Sequence, residues 1–105
     1  MKSTVVRYQA KAERADENQR LIEAVFAQLE QRKPVGFTYR VFRLDDGVSF
    51  VHIAVQPDEG PSLSDVQAFQ EFQKDVRDRL EEGPIVTQWR EVGSYCFFDG
   101  GVLGD

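Results

Sequence analysis

The chain holds one histidine, His52, in the apolar run VSFVHIAV. A neutral imidazole can take up a proton near physiological pH, so His52 is a candidate base or hydrogen-bonding group in a ligand cavity. Its commoner role would be packing, as a histidine hydrogen-bonded across a subunit interface. Tyr39 and Trp89, with Tyr8 and Tyr95, could wall a pocket for a flat ligand. Their commoner role is to fill a small core. Arg40, with Arg7, Arg43 and Arg90, could gather around an anion, although strand arginines are more often surface charges. The candidate ligand-binding set is therefore Tyr39, Arg40, His52 and Trp89, with no catalytic residue assigned.

Other chemistry has weaker support. One histidine, one cysteine and scattered carboxylates give no metal-ligand spacing, so no metal and no cofactor are expected. PDEGPSLSD lacks the order of a calcium loop, and GGVLG lacks the lysine and following helix of a phosphate cradle. Cys96, in YCFF, lies among aromatics, where nothing would activate the thiol.

The elements that must position these side chains follow from periodicity. STVVRYQAK alternates and carries β-branched and aromatic residues, as a strand does. In ERADENQRLIEAVFAQLEQRK, Leu21, Ile22, Val25, Phe26 and Leu29 recur at helical spacing, with acids early and bases late. Pro34 and Gly36 end that helix. GFTYRVFRL and VSFVHIAV read as strands joined at Asp45, Asp46 and Gly47. After the QPDEGPS loop, Ser64 with Gln67, or Ser62, would cap a second helix. Its stripe runs through Val66, Phe69, Phe72, Val76 and Leu80, and Gly83 and Pro84 would stop it. IVTQWREVGSYCFF reads as the last strand. The predicted class is α+β: a ferredoxin-like βαββαβ domain over residues 1–98, with a four-stranded antiparallel sheet and two helices on one face. Residues 99–105 read as a flexible Gly-rich tail.

A three-residue turn would set Leu44 opposite Val48, and then Phe42 with Phe50 and Arg40 with His52. Val41, Val51, Tyr39 and Ile53 would face the helices. The other face, with Phe42, Phe50, Leu44 and Val48, would be too apolar to leave in water. This register predicts a homodimer through the sheet face, with His52 on that face and kept neutral by Arg40. The assignment depends on loop length, because a slip of one residue moves every side chain to the other face.

At 105 residues the chain suits one core. A net charge of −5 argues against nucleic acid or an anionic membrane as partner. The start MKSTVVRYQAK lacks the apolar stretch of a signal peptide, and a single cysteine excludes an intrachain disulfide. A cytoplasmic location is expected.

The element order, the Phe69, Phe72, Val76 spacing and the VGSY segment resemble the antibiotic biosynthesis monooxygenase-like proteins of the dimeric α+β barrel superfamily. The likeness spans roughly residues 3–95. It implies a ferredoxin-like monomer whose sheet packs on that of a second copy. It also implies a ligand that is a small aromatic or hydrophobic molecule. Some members of the group are cofactor-independent monooxygenases acting on polycyclic aromatics; others degrade haem, isomerise small molecules or have no assigned activity. Many members have a histidine near the start of the second helix, where this chain reads VQAFQEF, and the haem-degrading residue set cannot be assembled here. A monooxygenase-like enzyme and a non-catalytic binding module, with His52 structural, both stay open.

Overall fold

A computed structural model describes residues 2–95. Strand β1 (Lys2–Ala10) leads through a 3-10 turn into helix α1 (Ala15–Arg32). The hairpin of β2 (Thr38–Arg43) and β3 (Ser49–Gln56) follows, then the short helices α2 (Gln67–Gln73) and α3 (Val76–Arg79), and finally β4 (Leu80–Gln88). The sheet is antiparallel, in the order β2-β3-β1-β4, with the helices on one face. This is the predicted α+β ferredoxin-like arrangement.

Helix α1 buries Ala15, Asn18, Ile22 and Val25, a stripe at three- and four-residue spacing that meets the sheet and α2. Its end is made by Lys33 in the left-handed region, whose N–H bonds the Leu29 carbonyl at 2.7 Å. Pro34 then prevents continuation.

The hairpin register differs from the sequence expectation by one residue. Leu44 faces Ser49, with a 2.9 Å bond from its N–H to the Ser49 carbonyl, so Val48 is drawn into the turn. The Asp46 carboxylate is the cause. It accepts the N–H groups of Val48 and Ser49 at 2.9 and 2.8 Å, removing Val48 from the ladder. Gly47 closes the loop at φ 80°, a conformation that costs glycine little. The observed pairs are Phe42 with Val51, Val41 with His52 and Tyr39 with Ala54. Phe50, His52 and Ala54 therefore lie beneath the helices, at 1%, 6% and 7% exposure. The expected pairing of Arg40 with His52, and the placing of His52 and Phe50 on the outer face, are both corrected.

The second helix is also shorter than its apolar stripe suggests. It breaks at Lys74 and Asp75, the latter left-handed at φ 61°, and only one further turn follows. Ser62, with Asp65, makes a capping box on the 3-10 turn Leu63–Asp65 ahead of the helix, and α2 itself starts from Val66 as its N-cap rather than from a Ser64–Gln67 cap. Gly83 and Pro84, expected to stop a helix, lie inside β4, which starts at Leu80 and ends at Gln88. Val92 to Tyr95 lie beyond that strand. The β1–β4 register shifts around Gln9. Gly83, at φ 95°, lies so close to β1 that a Cβ there would come within 3.0 Å of the Arg7 carbonyl oxygen. The predicted tail and the packing of Cys96 lie outside the described residues. Among those residues, no helix is long and apolar enough to cross a membrane.

Candidate functional site

Strands deliver alternate side chains to the helix side of the sheet, so Tyr8 of β1, His52 of β3 and Tyr39 of β2 arrive there as diagonal neighbours. Their polar atoms join. The Tyr8 hydroxyl lies 2.7 Å from His52 Nε2, and the Tyr39 hydroxyl lies 2.8 Å from His52 Nδ1. Asn18 of α1 donates from Nδ2 to the Tyr8 oxygen at 2.8 Å. Arg79 of α3 donates from Nε to Asn18 Oδ1 at 3.1 Å. Five side chains from five elements thus form one polar line through the core.

Arg79 is there because α2 ends early. The break at Lys74 and Asp75 leaves terminal carbonyls of α2 without helical partners. Arg79 turns back and donates to the Phe72 and Lys74 carbonyls at 2.6 and 3.3 Å, with its guanidinium 5.2 Å from the Phe72 ring centroid. Only 2% of the residue is exposed. A cation suits the negative end of a helix, and these acceptors offset part of the cost of burying it.

A cavity of about 520 Å³ lies above this line, between the sheet and α2. Tyr8, Tyr39 and His52 reach it from the sheet, and Phe69 and Phe72 from the helix. The Phe69 ring stands edge-on to Tyr39 at 6.4 Å, and Phe72 lies 5.5 Å from the imidazole. The volume suits a small flat ligand, and the wall is apolar with a few converging polar groups. A second cavity of about 890 Å³ is lined by Tyr39, Arg40 and Trp89, with Val5, Phe26 and Ile53. It has more room than the first.

The structure therefore divides the candidate residues. Tyr39 and His52 are bonded to each other on the helix side. Arg40 and Trp89 line the other cavity, and Tyr39 lines both. Tyr8, Asn18 and Arg79 complete the polar line and were not among the candidate set. Asn18 had a legible signal, a polar residue in the apolar stripe of α1; Arg79 had none, because its burial follows from a helix break.

Burial sets the protonation states. It pushes the His52 imidazole from its ordinary 6.5 down to about 4, without help from Arg40. It pushes the Tyr8 phenol up to about 12, against the opposing pull of Asn18 and Arg79. The Tyr39 phenol is also raised by burial. At neutral pH all three are uncharged. Burial of His52 has a consequence for stability. The unfolded chain takes up a proton that the folded chain refuses, so stability is full above pH 6.5 and is lost as pH falls toward 4. The loss is about 3 kcal/mol, because each tenfold change in proton affinity is worth roughly 1.4 kcal/mol. The unfolding free energies of the wild type and of His52→Gln should converge by about this amount between pH 7 and pH 4. Parallel pH curves would mean that the folded chain does not hold the imidazole neutral.

No family model matches the chain, and no curated protein matches it. Solved structures do. One described as an antibiotic biosynthesis monooxygenase superposes with a TM-score of 0.68 at 17% identity, covering 89% of this chain and 100% of its own. A Mycobacterium tuberculosis protein gives 0.66 at 15% identity, covering 88% of this chain and 95% of its own. A mutant of SnoaB, a cofactor-independent oxygenase from Streptomyces nogalater, gives 0.60 at 17% identity, covering 88% and 93%. The fold is that of the antibiotic biosynthesis monooxygenase-like proteins. At such identities the likeness is one of fold, and chemistry must be argued from this chain's own side chains. In this monooxygenase-like fold, the cavity between sheet and α2 is where the buried polar line meets open space.

Proposed function

We propose that the chain is a small oxygenase of the cofactor-independent kind, which binds a flat, electron-rich aromatic molecule between the sheet and α2. The supporting observation is the Tyr39–His52–Tyr8 line beneath an aromatic-walled cavity. An aromatic that ionises in such a site becomes electron-rich enough to reduce oxygen itself. The protein then has to hold the ring, keep water away and manage the proton, which neutral His52 and the two phenols are placed to do. The fold likeness to a cofactor-independent oxygenase points the same way.

The test is oxygen uptake with dithranol, a tricyclic phenolic anthrone, at pH 7 against a protein-free control. Saturable uptake supports the proposal. Saturable quenching of protein fluorescence without uptake would make the chain a binding module, and absence of both would end the reading.

We further propose that two copies pair through their open sheet faces. The corrected register still leaves that face apolar. Val5, Val51, Ile53 and Val55 occupy its central strands, flanked by Phe42 and Ile85 at 42% and 53% exposure. Ile53→Lys, which places a charge in the middle of that patch, should give monomers in sedimentation velocity. A dimer of wild-type stability in that variant would rule out this surface.

A further inference from the structure

The polar line has a direction, and we propose that Arg79 and Asn18 set it. They are positioning residues that hold His52 in its Nδ1–H tautomer and leave the Tyr39 hydrogen to a ligand oxygen. A guanidinium donates and never accepts, so the Asn18 atom facing Arg79 Nε at 3.1 Å is the amide oxygen. The Asn18 NH₂ must then face Tyr8, to whose oxygen it donates at 2.8 Å. Asn18 is wholly buried and Tyr8 is 7% exposed, and the side-chain acceptor within reach of the Tyr8 hydrogen is the His52 imidazole. Its acceptor is His52 Nε2, at 2.7 Å. Nε2 is thereby the unprotonated nitrogen. A neutral imidazole then carries its hydrogen on Nδ1 and donates it to the Tyr39 oxygen at 2.8 Å.

The opposite tautomer would aim two donors, Asn18 and Nε2–H, at the Tyr8 oxygen. It would leave the Tyr8 hydrogen without a protein acceptor, a costly arrangement. The direction therefore runs Arg79, Asn18, Tyr8, His52, Tyr39. Its last hydrogen, on the Tyr39 hydroxyl, is uncommitted and borders the cavity. A ligand in that cavity is recognised by an acceptor oxygen, the carbonyl or oxyanion of an aromatic ketone or phenol. This deepens the proposed function and rests on it only for the choice of cavity.

The chain has one histidine, so its side-chain nitrogen spectrum is unambiguous. In ¹⁵N-correlated NMR of the wild type at pH 7, Nε2 should be the pyridine-like nitrogen and Nδ1 the protonated one. Asn18→Asp keeps the side-chain shape but replaces the donor with an acceptor. Tyr8 then has to donate to that carboxylate, Nε2–H donates to Tyr8, and Tyr39 donates to Nδ1. The tautomer should switch to Nε2–H. A wild type protonated at Nε2, or an unchanged tautomer in folded Asn18→Asp, overturns the proposal; should that variant not fold, the wild-type spectrum still decides.

Ligand recognition is read with fluorenone against fluorene, flat tricyclic molecules that differ in the carbonyl. The wild type should bind the ketone about tenfold more tightly, as expected for one added hydrogen bond in a buried site. Asn18→Asp should lose that preference. Equal wild-type affinities overturn the assignment of the Tyr39 hydrogen. Binding of neither molecule removes the chosen cavity and the ligand class with it, whereas the spectrum separately decides the direction of the line.

Discussion

Tyr39→Phe should lower dithranol-dependent oxygen uptake by about 10²- to 10⁴-fold, the range for removing a positioned proton-handling group. The effect should fall mainly on kcat. The phenyl ring that remains keeps its stack on Phe26, at 5.0 Å and 10°, so the cavity wall stays in place. What is lost is the hydroxyl that both bonds His52 Nδ1 and borders the open cavity. Tyr39 is half-buried, and water entering the cavity can partner the freed imidazole nitrogen, so the stability cost should be about 1 kcal/mol. Urea unfolding beside steady-state kinetics separates the two effects. Full turnover in a folded Tyr39→Phe protein would remove Tyr39 from the chemistry and take the proposed function with it. Loss of turnover in step with loss of fold would make Tyr39 a packing residue.

Phe50→Ala should destabilise the fold by about 3–5 kcal/mol, as truncating a buried aromatic does. For a domain of this size that is a fall in Tm of roughly 12 °C or more. Phe50 is 1% exposed and stacks on Tyr8 with ring centroids 5.5 Å apart, while the Arg43 guanidinium lies 5.6 Å from the Phe50 centroid. Removing the ring opens a void beside Tyr8, so the Tyr8 to His52 bond should loosen and activity should fall in the fraction that stays folded. Phe42→Ala is the contrast. Phe42 lies on the outer face at 42% exposure, and its loss should cost less than about 1 kcal/mol in the monomer. Calorimetry on both variants tests the register itself. Similar small losses for the two would restore the alternative pairing, in which both phenylalanines face outward.

Much of the architecture was legible in the residues alone. The alternation of residues 3–11, the Leu21, Ile22, Val25, Phe26 and Leu29 spacing of α1 and the turn signal at Asp45–Gly47 each announced an element, because local periodicity reflects burial on one side. The element order gave the fold class. His52 and Tyr39 could be named as candidates from their types; a neutral imidazole was expected from a neighbouring Arg40, whereas burial is what keeps it neutral. Tertiary structure decided which face His52 occupies. A single carboxylate, Asp46, captured two backbone N–H groups and moved the hairpin by one position, and with a period of two that turns the β3 side chains to the opposite face while β2 keeps its expected one. Tertiary structure also decided the far end of the polar line. Arg79 is polar and follows an apolar stripe, and it reaches the core only because α2 breaks at Asp75 and presents carbonyls that no local pattern announces. Periodicity records how each element meets its neighbours on average; register and helix breaks depend on individual hydrogen bonds between residues the chain brings together from afar.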